Sequence, residues 1–205
     1  LCTAGTALLY PLYLQNILHY NSQQTGLMLA VTPICVSIVA PLSGALSDRT
    51  GSRPITTLGL LILIIGFVAV STLSEATSTL GYLLRFIPVG IGIGLFQSPN
   101  NSAVMGSVAR ANLGVASGLL SLTRTVGQTA GIAILSAFWE NRVAFYHGSF
   151  LDAGATFAPI ASQVAGLLDT VYLTIAILVL AFLISSWALV EFIKLKRTNP
   201  DPSTQ

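Results

Sequence analysis

The first 47 residues contain no Asp, Glu, Lys or Arg, and further uncharged runs cover 54–74, 86–109 and 170–190. Each run exceeds the ~18 residues at which an apolar helix becomes long enough to cross a hydrocarbon core roughly 30 Å thick. Inside lipid every backbone N–H and C=O must be paired within the chain, so such runs are expected as helices of a bundle. Charged residues make up 8% of the 205 and hydrophobic ones 53%, whereas soluble domains carry roughly 25% charged. A soluble globular domain is excluded. With 9 Lys plus Arg against 7 Asp plus Glu, the net charge of +2 is too small and too scattered for a nucleic-acid footprint. Cys2 and Cys35 lie in apolar runs and form no C-x-x-C pair, so they read as apolar fillers rather than a disulfide or metal site. The sequence opens on Leu1 without a basic n-region, which reads as part of a longer chain.

The expected fold is an all-α integral membrane protein, a six-transmembrane-helix bundle. Hydropathy and turn residues place spans at about 1–18, 25–46, 55–73, 80–105, 113–139 and 171–193,. A loop is expected over 140–170, too short to fold alone as a soluble catalytic domain, and a disordered polar tail over 198–205. One side of the membrane receives Arg49, Arg53, Arg110, Lys194, Lys196 and Arg197, and the other only Arg142 beside Glu75, Glu140, Asp152 and Asp169. That bias predicts a cytoplasmic 47–54 loop and C-terminus.

Pro11, Pro33, Pro41, Pro88 and Pro99 interrupt the spans, which a simple anchor does not need. Small residues spaced by four, Gly90/Gly94, Gly114/Gly118 and Gly127/Gly131, suit close helix packing in lipid. On a helical wheel Ser117, Ser121, Arg124, Gly127, Gln128 and Gly131 share one sector, opposite Val115, Leu119, Leu122 and Val126,. Arg124 is eleven residues into its span, about 16 Å deep. Its partner is expected to be a backbone carbonyl, an amide such as Gln97 or Asn101, water or a carboxylate from outside this chain, the last two preferred. Gln97 and Asn101, on one face with Gly90 and Gly94, suit either interhelical hydrogen bonds or a cavity wall. Arg85, five residues into its span, is expected to snorkel to the outer interface. No H-E-x-x-H, G-x-S-x-G or Walker loop occurs, and His19 and His147 fall in predicted outer loops, so enzyme chemistry, a metal site and a cofactor are not expected.

The turn between the second and third spans reads Gly44-Ala-Leu-Ser-Asp48-Arg49-Thr-Gly51-Ser-Arg53-Pro54. Gly51 permits a tight reversal, Pro54 suits a first helical turn, and Asp48 can pair with an Arg or face a helix N-terminus. G-x-x-x-D-R-x-G-x-R in this place resembles the loop signature of the major facilitator superfamily. The stretch Gly90–Asn101, with Leu113–Gly118 and Arg124–Gly131, is similar to the tenth and eleventh helices of drug:proton antiporters of the fourteen-span multidrug-efflux branch. The resemblance covers essentially 1–197 and corresponds to a C-terminal six-helix half. It implies a multi-pass plasma-membrane transporter working by alternating access. Its partners would be the lipid bilayer, an N-terminal half of six or eight spans, a small amphipathic or drug-like substrate and protons. Gly44, Asp48, Arg49, Gly51 and Arg53 would then form a cytoplasmic gating loop. Arg124, Gln128, Ser121, Ser117, Gln97 and Asn101 would line the cavity. The alternative is a non-transporting membrane module that docks with another polypeptide or with itself.

Overall fold

The computed structural model describes residues 2–74, 77–148 and 154–198. Glu75, Asp152 and all of the predicted tail beyond Thr198 lie outside them. The described chain is helical, with no strand: α1 (Cys2–Leu12), α2 (Ser22–Leu29), α3 (Val31–Thr50), α4 (Ser52–Val70), α5 (Thr79–Gly106), α6 (Leu113–His147) and α7 (Ile160–Thr198). Among the described residues, helix occupies most of each stretch that hydropathy singled out. Four continuous stretches, Ser22–Thr50, Ser52–Val70, Thr79–Gly106 and Ile160–Glu191, are long and apolar enough to cross a membrane. The α6 stretch falls below that apolarity because Ser117, Ser121, Arg124 and Gln128 interrupt it.

Local chemistry explains the boundaries. α1 passes into a π-helical turn, Tyr13–Ile17, and ends at His19 with φ 55°, a left-handed conformation uncommon outside glycine. Asn21 opens α2 with a reciprocal capping box to Gln24,. α2 runs into α3 through Ala30, which keeps helical φ and ψ of −65° and −19°. Ser78 caps α5 by accepting from the Gly81 N–H, and Gly148 closes α6 in the left-handed region at φ 85°,.

α5 packs most extensively on α4 and α3, while α6 associates with α1 and α7, and α7 also packs on α4. Where α4 meets α5, a Cβ on Gly92 would lie 2.7 Å from the Leu63 backbone N, and one on Gly59 2.7 Å from the Phe96 N. Only hydrogen fits there. The buried core gathers Tyr10, Tyr13, Phe67, Tyr82, Phe86, Trp139, Val143 and Leu167. Tyr82 and Phe86 stack with ring centroids 4.1 Å apart, and Tyr10 meets Phe86 edge-on at 4.6 Å,.

The predicted loop over 140–170 is corrected: α6 continues to His147 and α7 begins at Ile160. Trp139 and Val143 bury against the start of α7, where a Cβ on Gly166 would come within 2.7 Å of Val143. The charges expected to mark the loop instead join the helices. Arg142 pairs with Asp169, whose carboxylate also accepts from the Tyr146 hydroxyl at 3.0 Å.

Candidate functional site

The loop motif sits where α3 turns into α4. α3 ends at Thr50, and Gly51 adopts φ 90° and ψ 155°, a backbone that a residue with a Cβ adopts only under strain. One helical turn before Asp48, Gly44 faces α5, where an added Cβ would lie 3.2 Å from Ser98 Oγ. Asp48 and Arg49 are exposed and form no ion pair with each other. Arg53, at the start of α4, donates to the Ala188 carbonyl of α7 at 3.5 Å. Four residues on, Thr57 Oγ1 and Ser185 Oγ are 2.8 Å apart. The motif therefore ties α3, α4 and α7 at one end of the bundle.

The polar stripe lies on α6. Ser117, Ser121, Arg124 and Gln128 are all exposed, Gly127 is half-buried and Gly131 buried. Arg124 Nη2 donates to Asn101 Oδ1 of α5 at 3.1 Å. Within this chain its partner is thus an amide, one of the expected alternatives. Asn101 stands one helical turn beyond Gln97 on α5, and both amides are half-buried,. Arg85, by contrast, is held near the start of α5. Its Nε donates to Thr72 Oγ1 at 2.8 Å and its Nη1 to the Gly81 carbonyl at 2.9 Å.

The glycines divide into two groups. Gly90 and Gly94 lie where α5 touches α3, their Cβ positions 2.5 Å from Cys35 Cβ and 2.9 Å from Val39 Cβ. The Ser43 hydroxyl, nearly fully buried, donates to the Gly94 carbonyl at 2.9 Å across the same contact. Gly114, Gly118 and Gly127 have nothing within 4 Å of where a Cβ would stand. They mark open space beside the polar stripe.

Two features had no clear mark in the sequence. One is the Arg142–Asp169–Tyr146 cluster, in which the carboxylate and then the Tyr146 hydroxyl push the guanidinium pKa up, so Arg142 keeps its charge at any cellular pH. The other is an apolar cleft of about 270 Å3 lined by residues of α1 to α5, among them Ala7, Tyr10, Thr32, Phe67 and Ile93. Among the described residues, no group of His, Cys, Asp and Glu could hold a metal ion.

Comparison with known proteins bears on this arrangement directly. Residues 1–132 match the family model described as Major Facilitator Superfamily. An uncharacterized transporter of Escherichia coli K12, YebQ, is 36% identical over 161 residues, covering 77% of this chain and 34% of that protein. The riboflavin transporter RibZ of Clostridioides difficile is 26% identical, covering 69% and 31%. The multidrug resistance protein Stp of Mycobacterium tuberculosis is 35% identical, covering 65% and 25%. The chain thus spans about a third or less of the length of these curated relatives.

Proposed function

The chain belongs to the major facilitator superfamily, and from that premise we propose that it supplies the C-terminal six-span half of a secondary transporter. The transporter exports small amphipathic or drug-like compounds in exchange for protons. Its place is the plasma membrane, with the α3–α4 turn and the C-terminus in the cytoplasm. An N-terminal half of six or eight spans faces the polar stripe of α6, and the solute crosses between the two halves by alternating access. The observation that carries this reading is the Arg124–Asn101 hydrogen bond, set in a stripe of exposed Ser117, Ser121 and Gln128. An Arg near the centre of a spanning helix costs roughly 2.5–3.5 kcal/mol on insertion scales, and polar groups at that depth face protein or water. A helix serving only as an anchor would place Leu or Ala there.

The α3–α4 turn has the character of a gate element. Gly51 sets the reversal, Gly44 lets α3 lie close to α5, and Arg53 reaches α7. Exposed Asp48 and Arg49 are available to the other half when the bundles rock. Relatives with multidrug names support a drug-like solute, and the one named for riboflavin supports a planar, amphipathic one.

The test is transport by the complete protein reconstituted into liposomes with an imposed pH gradient. Uptake of a dye-like amphiphile into inside-out vesicles should require an acidic interior and collapse with a protonophore. Uptake independent of the gradient would remove proton coupling. Absence of any vectorial movement by correctly folded protein would favour the non-transporting module.

A further inference from the structure

Ile93, Gln97 and Asn101 follow one another at four-residue intervals along one side of α5, and they join two features that differ in chemistry. At the Ile93 level lies the apolar cleft of about 270 Å3. Phe67 of α4, 1% exposed, closes its back. Ala7 and Tyr10 of α1 and Thr32 and Pro33 of α3 form its walls. Eight residues further on, about 12 Å at the helical rise, Asn101 holds Arg124. A guanidinium has five N–H donors, and Asn101 takes one. Among the described residues no carboxylate pairs with Arg124, so this end of the path is cationic and rich in donors.

We propose that the cleft and the Arg124–Asn101 pair form one two-part site, which takes an amphipathic solute with a compact apolar body and an anionic, oxygen-rich head. The proposal rests on the transport reading above and narrows its substrate class. The body is limited by volume: a dry cavity of about 150 Å3 accepts one benzene, so the cleft suits two fused rings. The head is decided by sign. A carboxylate or sulfonate gains charge-assisted hydrogen bonds from Arg124, with Gln97 as a further amide donor on the same side of α5. A quaternary ammonium of the same shape would meet Arg124 as a like charge and find no described carboxylate to offset it. The separation of about 12 Å sets the spacer between body and head.

The experiment uses the complete transporter in nanodiscs and three matched probes. These are 6-(2-naphthyloxy)hexanoate, its neutral terminal amide, and the analogue ending in trimethylammonium. Equilibrium binding should favour the anion over the cation by at least ten-fold. Arg124→Gln should erase that preference by weakening the anion far more than the amide, and Arg124→Lys should retain part of it. Ala7→Leu, which narrows the cleft without adding charge, should weaken all three probes together. Each variant is first checked for a monodisperse elution profile, and Arg124→Lys stands in if Arg124→Gln fails to fold. Equal binding of anion and cation, a preference unchanged by Arg124→Gln, or no probe bound at 1 mM would each overturn the site. Transport in liposomes separates the two ideas. Vectorial movement without anion preference sinks the site and leaves the transport reading; selective anion binding without movement does the reverse.

Discussion

Replacing Gly92 by Ala should loosen the α4–α5 contact more than any change of one methyl group on an open face. The new Cβ would lie 2.7 Å from the Leu63 backbone N and 2.9 Å from the Gly59 carbonyl oxygen. Neither is the end of a flexible side chain, so relief requires the two helices to part. Ordinary contact begins near 3.4 Å, which sets the parting at about 0.7 Å. A radial gap of that size forfeits a quarter to a half of the dispersion attraction of each contact it opens. In lipid that attraction is most of what holds helices together, since the tails are as apolar as Leu. Overpacking generally costs about 1–3 kcal/mol, and a backbone clash on α5 places Gly92→Ala near the upper end. At roughly 2–4 °C per kcal/mol for domains of 150–250 residues, the apparent melting temperature should fall by about 6–12 °C. Fluorescence-detected size-exclusion chromatography of heated detergent samples gives the measurement. Gly26→Ala is the control, because Gly26 lies in α2 with nothing within 4 Å of its Cβ position, and Ala is the better helix former. If Gly92→Ala melts with Gly26→Ala, the close approach of α4 and α5 is not what holds this bundle together.

Three further outcomes are expected. In a variant lacking native cysteines, impermeant maleimide applied to intact cells should label a cysteine placed at Thr156 and spare one at Ser52; the reverse pattern would invert the topology. Asp48→Asn in the complete transporter should slow transport substantially with unchanged membrane yield, since a shift of ~1–3 kcal/mol between states is the usual size of a conformational coupling. Unchanged kinetics would reduce the turn to a topological signal. Asp169→Asn should lower thermal stability slightly at low salt and not at high salt, because the pair with Arg142 is partly exposed and screened,. A loss that persists in 1 M salt would mean that packing of the α6–α7 extension depends on that carboxylate in some other way.

The sequence revealed what depends on neighbours along the chain and hid what depends on neighbours across it. Uncharged runs marked every helix but α6, which Arg124 interrupts, because the lack of charge over about twenty residues is a property of one segment. The α3–α4 turn was legible for the same reason: Gly51 adopts the positive φ that its place in the motif demands. An amide on α5 was one of several partners expected for Arg124, though not the preferred one, and within this chain Asn101 accepts from it. The 140–170 segment misled because Glu140, Arg142 and Asp169 look like loop charges, whereas two of them neutralise each other between helices. Glycine spacing misled differently. Gly90/Gly94 and Gly114/Gly118 share a rhythm, yet the first pair meets α3 and the second meets nothing described. A small-residue face says that a neighbour can come close, and not that one does. The residues at the closest α4–α5 approach, Gly59 and Gly66 with Gly92, had a local signal in the seven-residue interval on α4, which returns to the same side after two turns. The cleft had none, since its walls come from five helices.

Packing is distributed unevenly along α6, and that unevenness constrains what lies against it. From Gly131 to Val143 the helix buries Leu135, Trp139 and Val143 against its neighbours. From Leu113 to Thr129 it buries only Ala116. Here Val115, Leu119, Leu122 and Val126 are 59–75% exposed on one side, and Ser117, Ser121, Arg124 and Gln128 are exposed on the other. The apolar side is matched by lipid. The polar side is not, because the stripe from Ser117 to Gln128 extends about 16 Å along the axis, too far for one guanidinium to carry every hydroxyl and amide out to an interface by snorkelling. Each unsatisfied polar group in hydrocarbon costs several kcal/mol, and the Asn101 hydrogen bond relieves only one Arg124 donor. A cover that brings oxygen acceptors or water to this face is therefore the one its chemistry favours. A smooth apolar cover, whether lipid or another helix, would leave the remaining Arg124 donors and the Gln128 amide to meet that desolvation cost.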